Sequence, residues 1–113
     1  MDVTSKNLKE FIKEGKVINV TSKSFKEFIK EGKVIIDFWA PWCGPCRALG
    51  PILEEVCENN NIKLGKVNVD EEMELAELFR IQSIPYVVKF VDGDVVDQFL
   101  GLRPKSAVEE FVK

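Results

Sequence analysis

Cys43 and Cys46 stand three residues apart in the segment Trp39-Ala40-Pro41-Trp42-Cys43-Gly44-Pro45-Cys46-Arg47. Two thiols at that spacing can do chemistry that one cannot. The apolar run Val34-Ile35-Ile36-Asp37-Phe38-Trp39 leads into them, and a helical pattern opens at Pro45. A cysteine at a helix N-terminus faces unpaired backbone N–H groups and the positive end of the helix dipole, so its thiolate is favoured. The thiolate is the form that attacks a disulfide. A second cysteine one turn deeper can then close an intramolecular bond and expel the product, which makes the pair a candidate two-electron reductant of disulfides.

Two other uses of the pair fit less well. A structural zinc site needs four ligands, whereas the chain has no His and Cys57 would supply only a third. No metal or other cofactor is expected. Two cysteines that merely fill core space fit poorly beside Pro41, Trp42, Gly44 and Pro45, which shape a partly exposed loop. Without His, proton transfer must fall to Asp, Glu, Lys, Tyr or Cys. Asp37 lies inside an apolar run, where a carboxylate is costly unless paired. Alternation along Ile62–Val69 puts Lys66 and Asn68 on one face of that strand, within reach of Asp37. Burial pushes the Asp37 carboxyl up and Lys66 pushes it down, with burial expected to dominate. Cys57 follows Cys46 by eleven residues, ~16 Å along a straight helix. No disulfide spans that, and Cys57 reads as a small buried hydrophobe.

The elements that must position these residues follow from periodicity. Val3 through Ile18 recurs as Val20 through Ile35, with only Asn7→Ser24 and Leu8→Phe25 changed. Two copies are too few for a solenoid, so this is a local duplication. Each copy predicts a short amphipathic helix, on Leu8, Phe11 and Ile12 in the first and on Phe25, Phe28 and Ile29 in the second. Asn7 with Glu10, and Ser24 with Glu27, have capping-box spacing, and Gly15 and Gly32 stand where a C-terminal glycine would. Val17–Val20 predicts an edge strand and Val34–Trp39 a central one. Downstream come a helix from Pro45 to about Asn59, kinked at Gly50-Pro51, and a strand over Ile62–Val69. Asp70 is expected to cap a helix with the acidic first turn Glu71-Glu72, running to about Arg80. Strands Tyr86–Val91 and Val95–Leu100 join through Asp92-Gly93-Asp94, and Pro104 opens a last helix over Lys105–Val112. This order predicts an α/β sheet with helices on both faces and a closing antiparallel hairpin.

Composition narrows the functional classes. The 113 residues suit one domain with one core. A net charge of -3 argues against a nucleic-acid binder, and no apolar run approaches the ~20 residues of a membrane helix. The opening Met1-Asp2-Val3-Thr4-Ser5-Lys6 leads into an amphipathic pattern rather than an apolar leader, so a cytoplasmic location is the expectation. Three cysteines, two of them in one C-x-x-C, do not resemble a secreted disulfide scaffold.

From about Val17 to Lys113 the chain resembles the thioredoxin family. The resemblance rests on Asp37-Phe38-Trp39-Ala40-Pro41-Trp42-Cys43-Gly44-Pro45-Cys46-Arg47, and also on Pro51, Lys66-Val67-Asn68-Val69-Asp70, Ile84-Pro85 and Gly101. It implies a mixed five-stranded sheet flanked by helices with residues 17–113 as the domain, and it leaves residues 1–16, the first copy of the duplication, over as an extra amphipathic helix. Cys43 would be the exposed attacking thiolate, Cys46 the buried resolving thiol, and Asp37, with Lys66 beside it, the acid–base group beneath them. Ile84-Pro85 would be a cis-proline loop facing the cysteines. Trp42, Gly44, Pro45, Ile84, Pro85 and Gly101, with Leu102, would receive protein substrates. A thioredoxin reductase of unspecified type would return the electrons. Tyr86 departs from the threonine common after that proline. The alternatives are a thiol oxidant or isomerase on the same fold, which Gly44-Pro45 disfavours, and a thioredoxin-fold binding subunit. The first copy of the duplication is left with three outcomes: docking on its own domain, pairing with another chain, or swapping into a neighbour's first-helix place.

Overall fold

The computed structural model describes residues 17–113. The amphipathic helix expected over residues 1–16, and its docking or exchange, lie outside the described residues. Strand β1 (Val17–Asn19) leads to helix α1 (Phe25–Ile29), strand β2 (Lys33–Trp39), helix α2 (Gly44–Asn59) and strand β3 (Lys63–Asn68). Helix α3 (Met73–Leu78), strands β4 (Tyr86–Val91) and β5 (Asp94–Leu100), and helix α4 (Lys105–Val112) follow. The sheet order is β1-β3-β2-β4-β5, with β1, β3 and β2 parallel and β4 and β5 antiparallel to their neighbours. The mixed five-stranded sheet flanked by helices is therefore the one expected. No helix among the described residues is long and apolar enough to cross a membrane.

Strand alternation splits the core into two layers. Ile35, Leu64 and Val87 point to one face, where Leu49, Leu53, Val56 and Cys57 of α2 and Val108, Phe111 and Val112 of α4 cover them. Val34, Ile36, Phe38, Val67 and Val88 point to the other, beneath Phe25, Phe28 and Ile29 of α1 and Leu75 of α3. Phe25 stacks edge-on against Phe79 and Phe90 at 5.4 and 5.7 Å between ring centroids, which ties α1 to the segment after α3. Glycine at position 65 is what lets α1 sit this close. A Cβ there would stand 2.6 Å from the Phe28 ring and 2.7 Å from Val20. The two-residue turn Asp92-Gly93 takes positive φ at both positions, 49° and 89°, as a tight hairpin requires.

The element ends depart from the sequence reading in three places. Ser24 precedes α1 but makes no side-chain cap to it. Its hydroxyl instead accepts from the Thr21 N–H at 3.0 Å while its own N–H donates to the Thr21 hydroxyl. Helix α3 starts at Met73 rather than just after Asp70, because Glu71 and Glu72 spend their N–H groups on the Asn68 carbonyl in a preceding turn. Pro104 flanks α4 in extended backbone (φ -68°, ψ 159°) instead of filling its first turn.

Candidate active site

Strand β2 ends at Trp39, and a short turn delivers Cys43 to the N-cap of α2 in extended backbone, φ -88° and ψ 110°. Gly44 and Pro45 form the first helical turn, where proline's missing N–H leaves nothing unsatisfied. Cys43 and Cys46 are joined in a disulfide with their Cα atoms 5.3 Å apart, and the Cys46 N–H donates to the Cys43 sulfur at 3.2 Å. The helix terminus thus aims an unpaired donor at the sulfur where negative charge would sit as a thiolate.

The expected exposure of Cys43 is not what the oxidised state shows. Cys43 is 5% exposed against 3% for Cys46. Its sulfur turns inward to reach Cys46, and Ala40, Trp39, Val69 and Ile84 surround the pair. The Ile84 carbonyl lies 3.8 Å from the Cys43 sulfur. The Ile84-Pro85 peptide is cis, and the Pro85 carbonyl accepts from the Gly101 N–H at 2.8 Å. Of the predicted receiving residues, Ile84 thus lies against the disulfide and Pro85 is tied to Gly101. Trp42 is 69% exposed and Leu102 52%; Gly44 and Pro45 are exposed, Ile84 and Gly101 half-buried, and Pro85 buried.

Asp37, on β2, is 1% exposed, and among the described residues neither carboxylate oxygen accepts a hydrogen bond. It pairs in register with Lys66 across the parallel β2–β3 ladder, and both point to the α2 side of the sheet, as alternation required. Burial pushes the Asp37 carboxyl up to about 7, against the pull of Lys66 and with a further push from Glu54. Lys66 makes no ion pair with it among the described residues; its ammonium sits 5.0 Å over the Trp39 ring. Lys66 approaches α2 at Gly50, one turn before Glu54; a Cβ at Gly50 would meet the Lys66 nitrogen at 3.3 Å and the Glu54 carboxylate at 3.9 Å.

Three participants escape the sequence reading. Asp70, expected as a helix cap, accepts from the Trp42 indole N–H at 2.8 Å and so fixes the exposed ring beside the cysteines. Trp39 offers Lys66 its ring, while its own indole N–H is buried without a hydrogen-bond partner among the described residues. Glu54 acts on Asp37 from α2. The detectable signal for Glu54 was its i+4 spacing from Gly50 on one helix face; the two tryptophans carried no signal that told their roles apart.

The chain is similar to known proteins. A family model described as thioredoxin matches residues 16–113. Thioredoxin of Bacillus subtilis is 42% identical over 80 residues, covering 69% of this chain and 77% of that protein. The M-type chloroplastic thioredoxin of Pisum sativum is 38% identical over 107 residues, 93% of this chain and 62% of that relative. Among solved structures, a single-site mutant of thioredoxin from Halobacterium salinarum NRC-1 superimposes with a TM-score of 0.79 at 29% identity, covering 85% of this chain and 86% of that one.

Proposed function

The chain belongs to the thioredoxin family and is a dithiol disulfide reductase, and we propose the roles by which its residues carry out that activity. In the reduced state the Cys43 thiolate attacks one sulfur of a substrate disulfide. The S–S bond breaks, one substrate sulfur leaves as a thiolate, and a mixed disulfide joins Cys43 to the other. The Asp37 carboxylate takes the proton of the Cys46 thiol, and the Cys46 thiolate attacks the Cys43 sulfur. The second substrate sulfur leaves, and the Cys43–Cys46 disulfide remains. Two electrons have passed from protein to substrate, and a thioredoxin reductase returns them. What supports this reading is a joined cysteine pair at the N-cap of α2 together with a buried carboxyl on β2 whose pKa of about 7 suits proton transfer near neutrality.

Lys66 holds the Asp37 charge within useful range rather than touching substrate. Trp42, Gly44, Pro45, Ile84, Pro85 and Gly101 form the receiving surface, with Pro85 and Gly101 tied to each other by their backbone hydrogen bond. Residues 17–113 are the catalytic domain and residues 1–16 a separate duplicated segment, available for contact or exchange with a second copy. The cytoplasm is the proposed compartment, because a reductant of this kind works where the glutathione pool keeps thiols reduced.

The reduction potential of the Cys43–Cys46 couple, equilibrated against dithiothreitol or glutathione, tests the direction of electron flow. A value near about -270 mV, usual for thioredoxins, supports a reductant. One between about -180 and -120 mV would make the protein an oxidant or isomerase instead.

A further inference from the structure

The edge strand β1 is left partly uncovered on the sheet face that carries α1. Val17 packs with the α2 layer and Val20 with the α1 layer, so alternation turns Ile18 toward α1. Ile18 is nevertheless 40% exposed. A groove of about 480 Å³ runs along it, with Ile18 and Phe28 as its apolar surface. Ser24, Glu27 and Glu31 line one wall and Lys63 the other. The Lys63 ammonium is spent on the Phe28 carbonyl at 2.9 Å. Lys30, also at the groove, stands 3.9 Å from Glu27 with both side chains largely exposed. Glu31 makes no ion pair or hydrogen bond among the described residues.

The first copy of the duplication matches this groove in position, in pattern and in charge. Residues 1–16 join the domain at Val17, and β1, β3 and β2 run parallel, so they enter at the pole opposite Cys43. Leu8, Phe11 and Ile12 repeat the stripe Phe25, Phe28 and Ile29 that seats α1 on this sheet face. Only Gly15 and Lys16 separate that repeat from β1, so its C-terminal end is held at the pole where α1 also ends. Two copies laid side by side on one sheet face would therefore run parallel. In that arrangement the flank just after the apolar stripe of one copy meets the flank just before it in the other. The first flank carries Lys9 and Lys13, and the second is the α1 wall with Glu27 and Glu31. Both pairs have the same four-residue spacing, about 6 Å along a helix, which sets Lys9 opposite Glu27 and Lys13 opposite Glu31.

We infer that residues 7–14 dock in this groove of their own chain, parallel to α1. Leu8, Phe11 and Ile12 lie against Ile18 and Phe28, and Lys9 and Lys13 face Glu27 and Glu31. The occupant is the chain's own segment rather than a second copy, because a two-residue link holds it at high effective concentration beside the groove. Docked there, the segment covers the open flank of the edge strand and leaves the cysteine pole free for substrate.

Amide hydrogen exchange of the full chain, read by NMR at low salt, tests this together with sedimentation. The amides of residues 11–14 are expected to exchange at least about tenfold more slowly than unstructured ones. That protection is expected to be the same at low and high protein concentration, in a chain that sediments as a monomer. Phe11→Glu with Ile12→Glu is expected to abolish it and to leave disulfide reduction at the opposite pole unchanged. Lys9→Glu with Lys13→Glu is expected to lower it by about two- to fivefold per pair. Adding Glu27→Lys and Glu31→Lys, both exposed positions, to that same chain is expected to restore it. Unprotected amides at residues 11–14 of the parent overturn the inference. Protection that rises with concentration overturns it in favour of a second copy as the occupant. A charge reversal that Glu27→Lys and Glu31→Lys fail to rescue overturns the placement beside α1, and so does a loss of disulfide reduction on changing Phe11 and Ile12.

Discussion

The two ends of α2 hold the same functional group in opposite chemical states. At its N-terminus Cys43 and Cys46 form a disulfide, with the Cys46 backbone N–H directed at the Cys43 sulfur. Near its C-terminus Cys57 is a free thiol, 1% exposed among Val56, Ile62 and Val112. Burial, and secondarily the nearby Asp37 charge, push its thiol up to about 12. All three cysteines are almost equally covered, so exposure does not distinguish them. The difference lies in what each sulfur would meet as an anion: unpaired donors and a positive dipole end at Cys43, apolar side chains and a carboxylate at Cys57. Asp37 enters both halves of the comparison, as the proposed proton acceptor for Cys46 and as a repelling charge toward Cys57.

The sharpest way to break this comparison is to exchange the sulfurs for oxygen. Cys43→Ser is expected to lower disulfide reduction by at least roughly a thousandfold, since the nucleophile is lost. Cys46→Ser is expected to stop turnover at the mixed disulfide, visible as a covalent substrate adduct by mass spectrometry. Alkylation of the native reduced protein at pH 7 is expected to label Cys57 at least roughly a hundredfold more slowly than Cys43. Comparable labelling of Cys57 would mean that position on the helix does not decide reactivity here.

Asp37→Asn is expected to have the next largest effect, and its sign is fixed by linkage. The folded pKa of about 7 stands above the ordinary value of 3.8, so the folded state holds its proton where the unfolded state has lost it. Stability from this group is complete below about pH 4 and drains away as pH rises to about 7, then stays level. The asparagine side chain carries no charge to bury, so the variant is expected to be more stable than the parent by roughly 2–4 kcal/mol at pH 8, and equal to it near pH 4. Denaturant melts at the two pH values measure this. The same variant is expected to slow the Cys46 resolving step and to remove from its pH profile the rise centred near 7. A stabilised variant with an unaltered profile would make Asp37 a buried liability with no part in proton transfer.

Much of this arrangement was legible in the sequence because it depends on period and spacing. The run Val34–Trp39 announced a strand buried on both faces, and alternation along the strands placed Asp37 and Lys66 side by side. What escaped depends on register and on side-chain reach. The duplication equates Val17 with Val34, yet in the sheet Val17 and Ile35 both pair with Leu64. The two copies are thus threaded one residue out of step, which turns their side chains to opposite faces. No pattern internal to β1 fixes that, because its register is set by β3. The role of Asp70 was hidden for a related reason. Its partner Trp42 is 28 residues away in sequence, while the acids that follow it advertised a helix start. The cis form of Ile84-Pro85 came only from the family resemblance; the tripeptide Ser83-Ile84-Pro85 by itself favours a trans turn.

The smallest expected effect tests the inert end of the helix. Cys57→Ala removes one sulfur from a packed layer and leaves the active pair untouched, while Cys57→Ser puts a hydroxyl among Leu53, Val56 and Val112. The alanine variant is expected to cost about 1 kcal/mol through the cavity it leaves. The serine variant is expected to cost about 1–3 kcal/mol, because a buried hydroxyl must find a partner or go without. Both are expected to keep disulfide-reduction rates within about twofold of the parent when assayed well below their melting transitions. If Cys57→Ser proved as stable as Cys57→Ala, the position would be reached by water, and its thiol could not owe its high pKa to dryness. The contrast between the two ends of α2 would then shrink to the helix terminus alone.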